Sequence, residues 1–160
     1  MRTHLLLLAT FGFAQTASAA EVYTRSAAGA CLGQDGSKVA ASGPGMINLS
    51  WTGAHWSCSI DVGPTLVHAN GITSVTVWVT DRSPTTDVSV ALCFRTPGST
   101  EVCGAYVESV GVANGQELTV PRPLGRFPAG TIAWLSVFVP SNTSGQPFQH
   151  SGVDAYRVNN

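Results

Sequence analysis

The stretch ITSVTVWVTDRSPTTDVSVALCFR, Ile72 to Arg95, holds two runs of strict alternation separated by a polar turn. In the first, Val75, Val77 and Val79 fall on one side, and Thr76, Trp78 and Thr80 on the other. In the second, Val88, Val90, Leu92 and Phe94 share a side. Successive side chains of a strand point to opposite faces, so period two predicts strands buried on one face only. Pairing Thr80 with Asp87 across Arg82-Ser83-Pro84-Thr85 sets Val79 against Val88 and Val77 against Val90. That is an antiparallel hairpin with one continuous apolar face. No window of the chain keeps a helical period for three turns.

Upstream, MINLSWTGAHWSCSIDV, Met46 to Val62, reads as a second hairpin turning at Thr52 to His55. Pairing Trp51 with Trp56 places Leu49 opposite Cys58 and Ile47 opposite Ile60, a core side with the two tryptophans at its edge. Asn48, Ser50, Ser57, Ser59 and Asp61 then face water. Further strand candidates are Val22 to Ala27, Val102 to Val110, Glu117 to Val120, Thr131 to Val139 and Phe148 to Val158. Gly33 to Gly45, GQDGSKVAASGPG, reads as a surface loop. Roughly eight strands between Gly, Pro and Asn turns predict an all-β fold, an antiparallel β-sandwich of jelly-roll type.

The chain opens MRTHLLLLATFGFAQTASAAE, with one arginine, an apolar run from Leu5 to Ala14, and Ala17-Ser18-Ala19. This has the form of a signal peptide covering residues 1–19, followed by a single β-sandwich domain over 20–160. An apolar run of ~10 residues is too short for a membrane anchor. The expected location is secreted or periplasmic. The whole chain carries 8 basic and 9 acidic side chains. Removing Arg2 leaves seven against nine, so the mature net charge is near −2. With 11% charged residues and Lys38 as the sole lysine, no concentrated positive field exists for nucleic acid.

Four cysteines remain to be placed. In ALCFRTPGSTEVCGA, Ala91 to Ala105, Cys93 and Cys103 are equidistant from Gly98. A hairpin centred on Pro97-Gly98-Ser99 sets them opposite each other, with Arg95 facing Glu101 and Phe94 facing Val102. Opposed Cα atoms lie ~4.5 to 5.5 Å apart, within disulfide range. An even count in a secreted chain favours disulfides, so Cys93–Cys103 is expected and, by elimination, Cys31–Cys58. There is no Cys-x-x-Cys and no Cys or His pair at zinc spacing.

The order of a first cysteine near the mature start, Cys58-Ser59-Ile60, ITSVTVWVTDRS, the V-x-V-x-L-C strand and a closing GVDAYRV resembles a group of small secreted bacterial β-sandwich proteins that are uncharacterised. The resemblance spans most of the mature chain and implies fold and compartment. It implies no catalytic residue, because that group has no established activity.

Candidate chemistry is sparse. His55, His68 and His150 fall in or beside predicted turns, and pairing one with Asp61, Asp81 or Asp87 is the basis for a small secreted hydrolase. No Gly-x-Ser-x-Gly and no His-Glu-x-x-His accompanies them. Asp81 and Asp87 flank a loop and are weak candidates for a metal such as calcium, against the alternative that they bond loop backbone. No cofactor is implied. Trp78 lies on the threonine side of its strand, and Trp134 and Phe138 lie off the row Ala133, Leu135, Val137, Val139. Outward aromatics stack on sugars or anchor proteins. The alternative is that loops such as Gly33 to Gly45 cover them. Asn48-Leu49-Ser50 and Asn142-Thr143-Ser144 are glycosylation sequons. The reading is a non-catalytic binding or structural module for an unknown extracellular protein or glycan. The alternatives are a carbohydrate-binding module using Trp78 with Trp134 or Phe138, and the small hydrolase.

Overall fold

The computed structural model describes residues 21–34, 39–62, 69–141 and 150–160. Residues 1–19, expected from the sequence to be a signal peptide, and His68, the sequon at Asn142 and the first residues of the last strand candidate lie outside them. The described residues form twelve strands. They are β1 (Glu21–Ser26), β2 (Cys31–Gly33), β3 (Val39–Ser42), β4 (Gly45–Asn48), β5 (Ala54–Ile60), β6 (Ser74–Asp81), β7 (Ser89–Arg95), β8 (Glu101–Cys103), β9 (Val107–Glu108), β10 (Ala113–Pro121), β11 (Ile132–Val139) and β12 (Gly152–Asn159). One sheet has the order β10-β6-β12-β4-β3, with β1 also on β12. The other has the order β2-β5-β11-β7-β8, with β9 also on β7. Every pairing is antiparallel.

From β4 to β7 each strand lies in the sheet opposite its predecessor, and so do β10, β11 and β12. The pairings are nested: β4 on β12, β5 on β11, β6 on β10, and β7 on β8 and β9. This is the jelly-roll order expected from the sequence. The count exceeds eight because five strands are four residues or shorter. Among them are β8 and β9, two pieces that share one position beside β7.

Both long hairpins expected from the sequence are instead crossings between sheets. Val75, Val77 and Val79 are fully buried, as are Val88 and Val90, but β6 pairs with β10 and β12 while β7 pairs with β11. The two apolar rows meet across the core and not along a ladder. The physical reason lies at Asp81, which continues the inward row of valines and is itself buried. Its carboxylate accepts the N–H groups of Ser83 (2.9 Å) and Val88 (3.1 Å) and the hydroxyls of Ser109 (2.5 Å) and Ser151 (3.1 Å). Those donors come from the crossing itself, from the end of β9 and from the start of β12. A buried carboxylate is tolerated when its lone pairs are filled in this way.

Asn48 does the same after β4. It is buried, not facing water. Its amide donates to the carbonyls of Thr52 (3.0 Å), Val139 (3.3 Å) and Pro140 (3.1 Å), and its oxygen accepts Ser50 N–H at 2.9 Å. The chain therefore turns the corner from β4 into the other sheet. Trp51 and Trp56 part company there: Trp56 is 0% exposed in the core and Trp51 is 74% exposed at the crossing. The loop expected over Gly33 to Gly45 contains a strand, since β3 pairs with β4 from Val39 opposite Asn48 to Ser42 opposite Gly45.

Cys31 and Cys58 are bonded and buried between β2 and β5. Cys93 and Cys103 are bonded across β7 and β8 in the expected register, with Phe94 opposite Val102 and Arg95 opposite Glu101. The core between the sheets is filled by Trp56, Leu92, Phe94, Leu135, Tyr156 and the valine rows. Tyr156 donates from its hydroxyl to Ser59 O, and Tyr23 Oη accepts Asp61 N–H at 2.8 Å, so the buried phenol of Tyr156 and the half-buried one of Tyr23 each have a polar contact at the core edge.

Candidate functional site

The outward face of the β2-β5-β11-β7-β8 sheet is built by strand alternation. On β11, Ala133, Leu135, Val137 and Val139 are buried, which leaves Trp134, Ser136 and Phe138 pointing out, each half-buried. Trp134 sits on the central strand between Ser59 of β5 and Cys93 of β7. The Cys93–Cys103 disulfide extends the same row toward the sheet edge. The next row along the strands is Ser57, Ser136 and Ala91, with Leu32 opposite Ser57. On the other side Ile132 is opposite Arg95, and Arg95 is opposite Glu101.

These rows enclose a groove of about 630 Å³, with Trp134, Ser57, Ser59 and Ser136 on its floor and Leu32, Gln34, Ile132, Arg95 and Glu101 around it. Leu32 is 75% exposed and Ile132 56%. Gln34 donates to Ser57 Oγ, and Tyr106 Oη lies 3.2 Å from Ser136 Oγ. The floor thus offers one indole surface with the Ser59 hydroxyl on one side, the Cys93–Cys103 disulfide on the other, and the hydroxyls of Ser57 and Ser136 in the next row. An apolar plate with a few placed polar groups is the usual composition of a small-ligand site.

Phe138 shares this face four residues from Trp134, about 13 Å along the strand, and does not line the groove. Its ring packs on His55 with centroids 5.2 Å apart, and a Cβ at Gly53 would lie 2.6 Å from it. Gly53 is glycine because the ring occupies the space a side chain would need. Trp78 is on the other sheet, opposite Glu117 and Ala155, with the Arg157 guanidinium 5.3 Å from its ring centroid. Trp78 and Trp134 therefore lie on opposite sides of the sandwich and cannot form one binding face. This corrects their grouping from the sequence.

The acid and base candidates also separate. Asp61 is ion-paired with Arg25, and both oxygens of Asp81 are filled by protein donors. Asp81 is therefore a structural carboxylate and not an open metal ligand. Asp87 is half-buried at the far end of the crossing. The one group of three ligating residues among those described, Cys93, Glu101 and Cys103, has both sulfurs in the disulfide and offers no thiolate.

His150 borders a different cleft, about 410 Å³, on the outward side of the other sheet, with Ser42, Thr80, Arg82, Asn114 and Asp154. Asp154 sits at a bulge in β12 and accepts the Thr80 hydroxyl at 3.2 Å. Bulges re-aim side chains in this way. That cleft has no aromatic plate. Sequence reasoning missed it because its members come from four separate stretches of the chain. Trp51 was missed as an exposed residue because the corner at Asn48 was read as a ladder.

No family model matches the chain, and no curated protein matches it. Among solved structures, TmCBM61 in complex with β-1,4-galactotriose is similar over 81% of this chain and 87% of its own, at 15% sequence identity and a TM-score of 0.42. A likeness at that level identifies neither family nor ligand.

Proposed function

We propose that this protein is a non-catalytic extracellular binding module that holds a glycan in the groove over Trp134. The observation that carries the reading is the position of Trp134: half-buried at the centre of an open sheet face, with Ser59 beside it and Ser57 and Ser136 in the next row. An indole plate accepts the C–H face of a pyranose ring, while the neighbouring serine hydroxyls exchange hydrogen bonds with the ring substituents. A protein partner is the weaker reading, because the floor beside the indole carries the hydroxyls of Ser57, Ser59 and Ser136, while the exposed apolar side chains Leu32 and Ile132 stand around it.

A binding role without turnover is supported by the lining, in which Glu101 is the one carboxylate among the described residues, whereas glycoside hydrolysis ordinarily requires a pair. An extracellular setting is supported by two disulfides. No helix among the described residues is long and apolar enough to cross a membrane. Affinity electrophoresis through polysaccharide gels tests the reading. Trp134→Ala should lose retardation by tenfold or more in affinity, about 1.4 kcal/mol, while Trp78→Ala keeps it. Equal retardation of wild type and Trp134→Ala would remove the groove from consideration.

A further inference from the structure

Among the described residues the groove is lined by two charged side chains, Arg95 and Glu101, and they are directly opposed in the β7–β8 ladder. Opposite charges at such positions ordinarily pair. Here they do not. Among the described residues no ion pair joins them, and the Glu101 carboxylate Oε1 is turned along its own strand to lie 3.0 Å from Cys103 Sγ. Because that sulfur is in a disulfide and carries no proton, the contact is not a hydrogen bond and leaves the carboxylate's acceptor capacity open. Cys103 belongs to the row that runs through Cys93 to Trp134. The carboxylate is therefore swung out of the charge pair and toward the row of the indole plate. Arg95, an exposed residue, keeps its guanidinium without a partner of its own among the described residues.

From this we infer that the groove selects an uncharged glycan, with Glu101 as the acceptor and Arg95 as the donor for sugar hydroxyls, and with the Cys93–Cys103 disulfide positioning Glu101. The inference rests on the glycan reading above and adds the charge class of the ligand. One cation and one anion at the lip give the site no net charge, so neither a polyanion nor a polycation gains from the pair as a whole. An anionic sugar brought over the indole meets the exposed Glu101 carboxylate, and like charges placed side by side there disfavour it, most strongly at low ionic strength. A neutral diol suits both groups: a carboxylate accepts from two hydroxyls, and a guanidinium donates from a fixed fork. The disulfide matters because β8 is three residues long and exposed at every one, with little burial of its own to hold Glu101 in place.

The test is affinity electrophoresis of the wild type and two variants, Glu101→Gln and Trp134→Ala, against three classes of polysaccharide: neutral hexose polymers, polyuronates and sulfated galactans. Wild type should bind at least one neutral polymer at least tenfold more tightly than either charged class. Glu101→Gln should lose about tenfold on that neutral polymer while gaining on polyuronates, and Trp134→Ala should lose binding to all. Preference of the wild type for a polyanion, or a Glu101→Gln variant that binds the neutral polymer unchanged, overturns the charge selection and leaves the glycan reading standing. Failure to bind any polysaccharide overturns both.

Discussion

Asn48 and Asp81 occupy matching positions: each is the last residue of its strand, each is fully buried, and each accepts the N–H of the serine two residues on at 2.9 Å. These are Asx turns, in which a side-chain oxygen replaces a backbone acceptor. Each sits where the chain leaves one sheet for the other, so the first and third of the three crossings between β4 and β7 share one local device.

Removing either residue strands several buried donors or acceptors at once. Asp81→Ala should cost about 3 kcal/mol or more, and Asn48→Ala about 2 kcal/mol. Leu49→Ala, between Asn48 and Ser50 and 38% exposed, should stay within about 0.5 kcal/mol. Urea melts of the three variants measure this. Similar midpoints for all three would show that the corners are held by something else.

The same two residues explain what was legible in the sequence. Period two identified β6, β7, β11 and their inward rows correctly, and the jelly-roll class followed from strand number and turns. An inward row, however, looks the same whether its neighbour lies along a ladder or across the core. The choice between them turned on a polar residue at inward parity closing a strand, Asn48 in one case and Asp81 in the other. The Cys93–Cys103 register was readable because that hairpin is local and its turn fixes the pairing. Trp134 and Phe138 were placed on one side by parity within a single strand. That Trp78 belongs to the other sheet is a non-local fact, absent from the pattern of β6 alone.

The two disulfides should differ in accessibility. Cys103 is exposed, whereas Cys31 and Cys58 are 3% and 0% exposed. Graded reductant under native conditions, followed by alkylation and mass mapping, should label Cys93 and Cys103 first. Loss of the bridges should cost about 2.7 kcal/mol for the ten-residue separation and about 3.5 kcal/mol for the separation of 27 in the chain-entropy model. Earlier labelling of Cys31 and Cys58 would mean that β2 does not cover them.

Alkaline pH should destabilise the fold through its phenols. Burial, the largest influence, pushes Tyr23 up to about 12, and burial also raises Tyr156. Both stay neutral in the folded state at a pH where the unfolded chain ionises its tyrosines, near ~10. Their contribution is complete below about pH 10 and is lost as the pH rises from there, for Tyr23 through about 12. Tyrosinate absorbance and near-ultraviolet circular dichroism should therefore change together for these residues. Full ionisation near pH ~10 with the dichroism intact would contradict their burial.

The tryptophans should divide in a quenching experiment. Trp51, 74% exposed, should give the fraction most accessible to iodide, and Trp51→Phe should remove it. Trp56, 0% exposed, should resist quenching. An unchanged quenching curve for Trp51→Phe would place that indole back against the body of the protein.

The most direct measurement is a titration of residues 20–160 with oligomers of neutral hexose glycans, followed through the four indole N–H resonances after assignment by single Trp→Phe variants. The predicted result is a saturable shift of the Trp134 resonance, with Trp56 and Trp78 unmoved. Saturable binding that shifts Trp78 and leaves Trp134 in place, or no shift with any neutral glycan, would contradict the assignment of the groove.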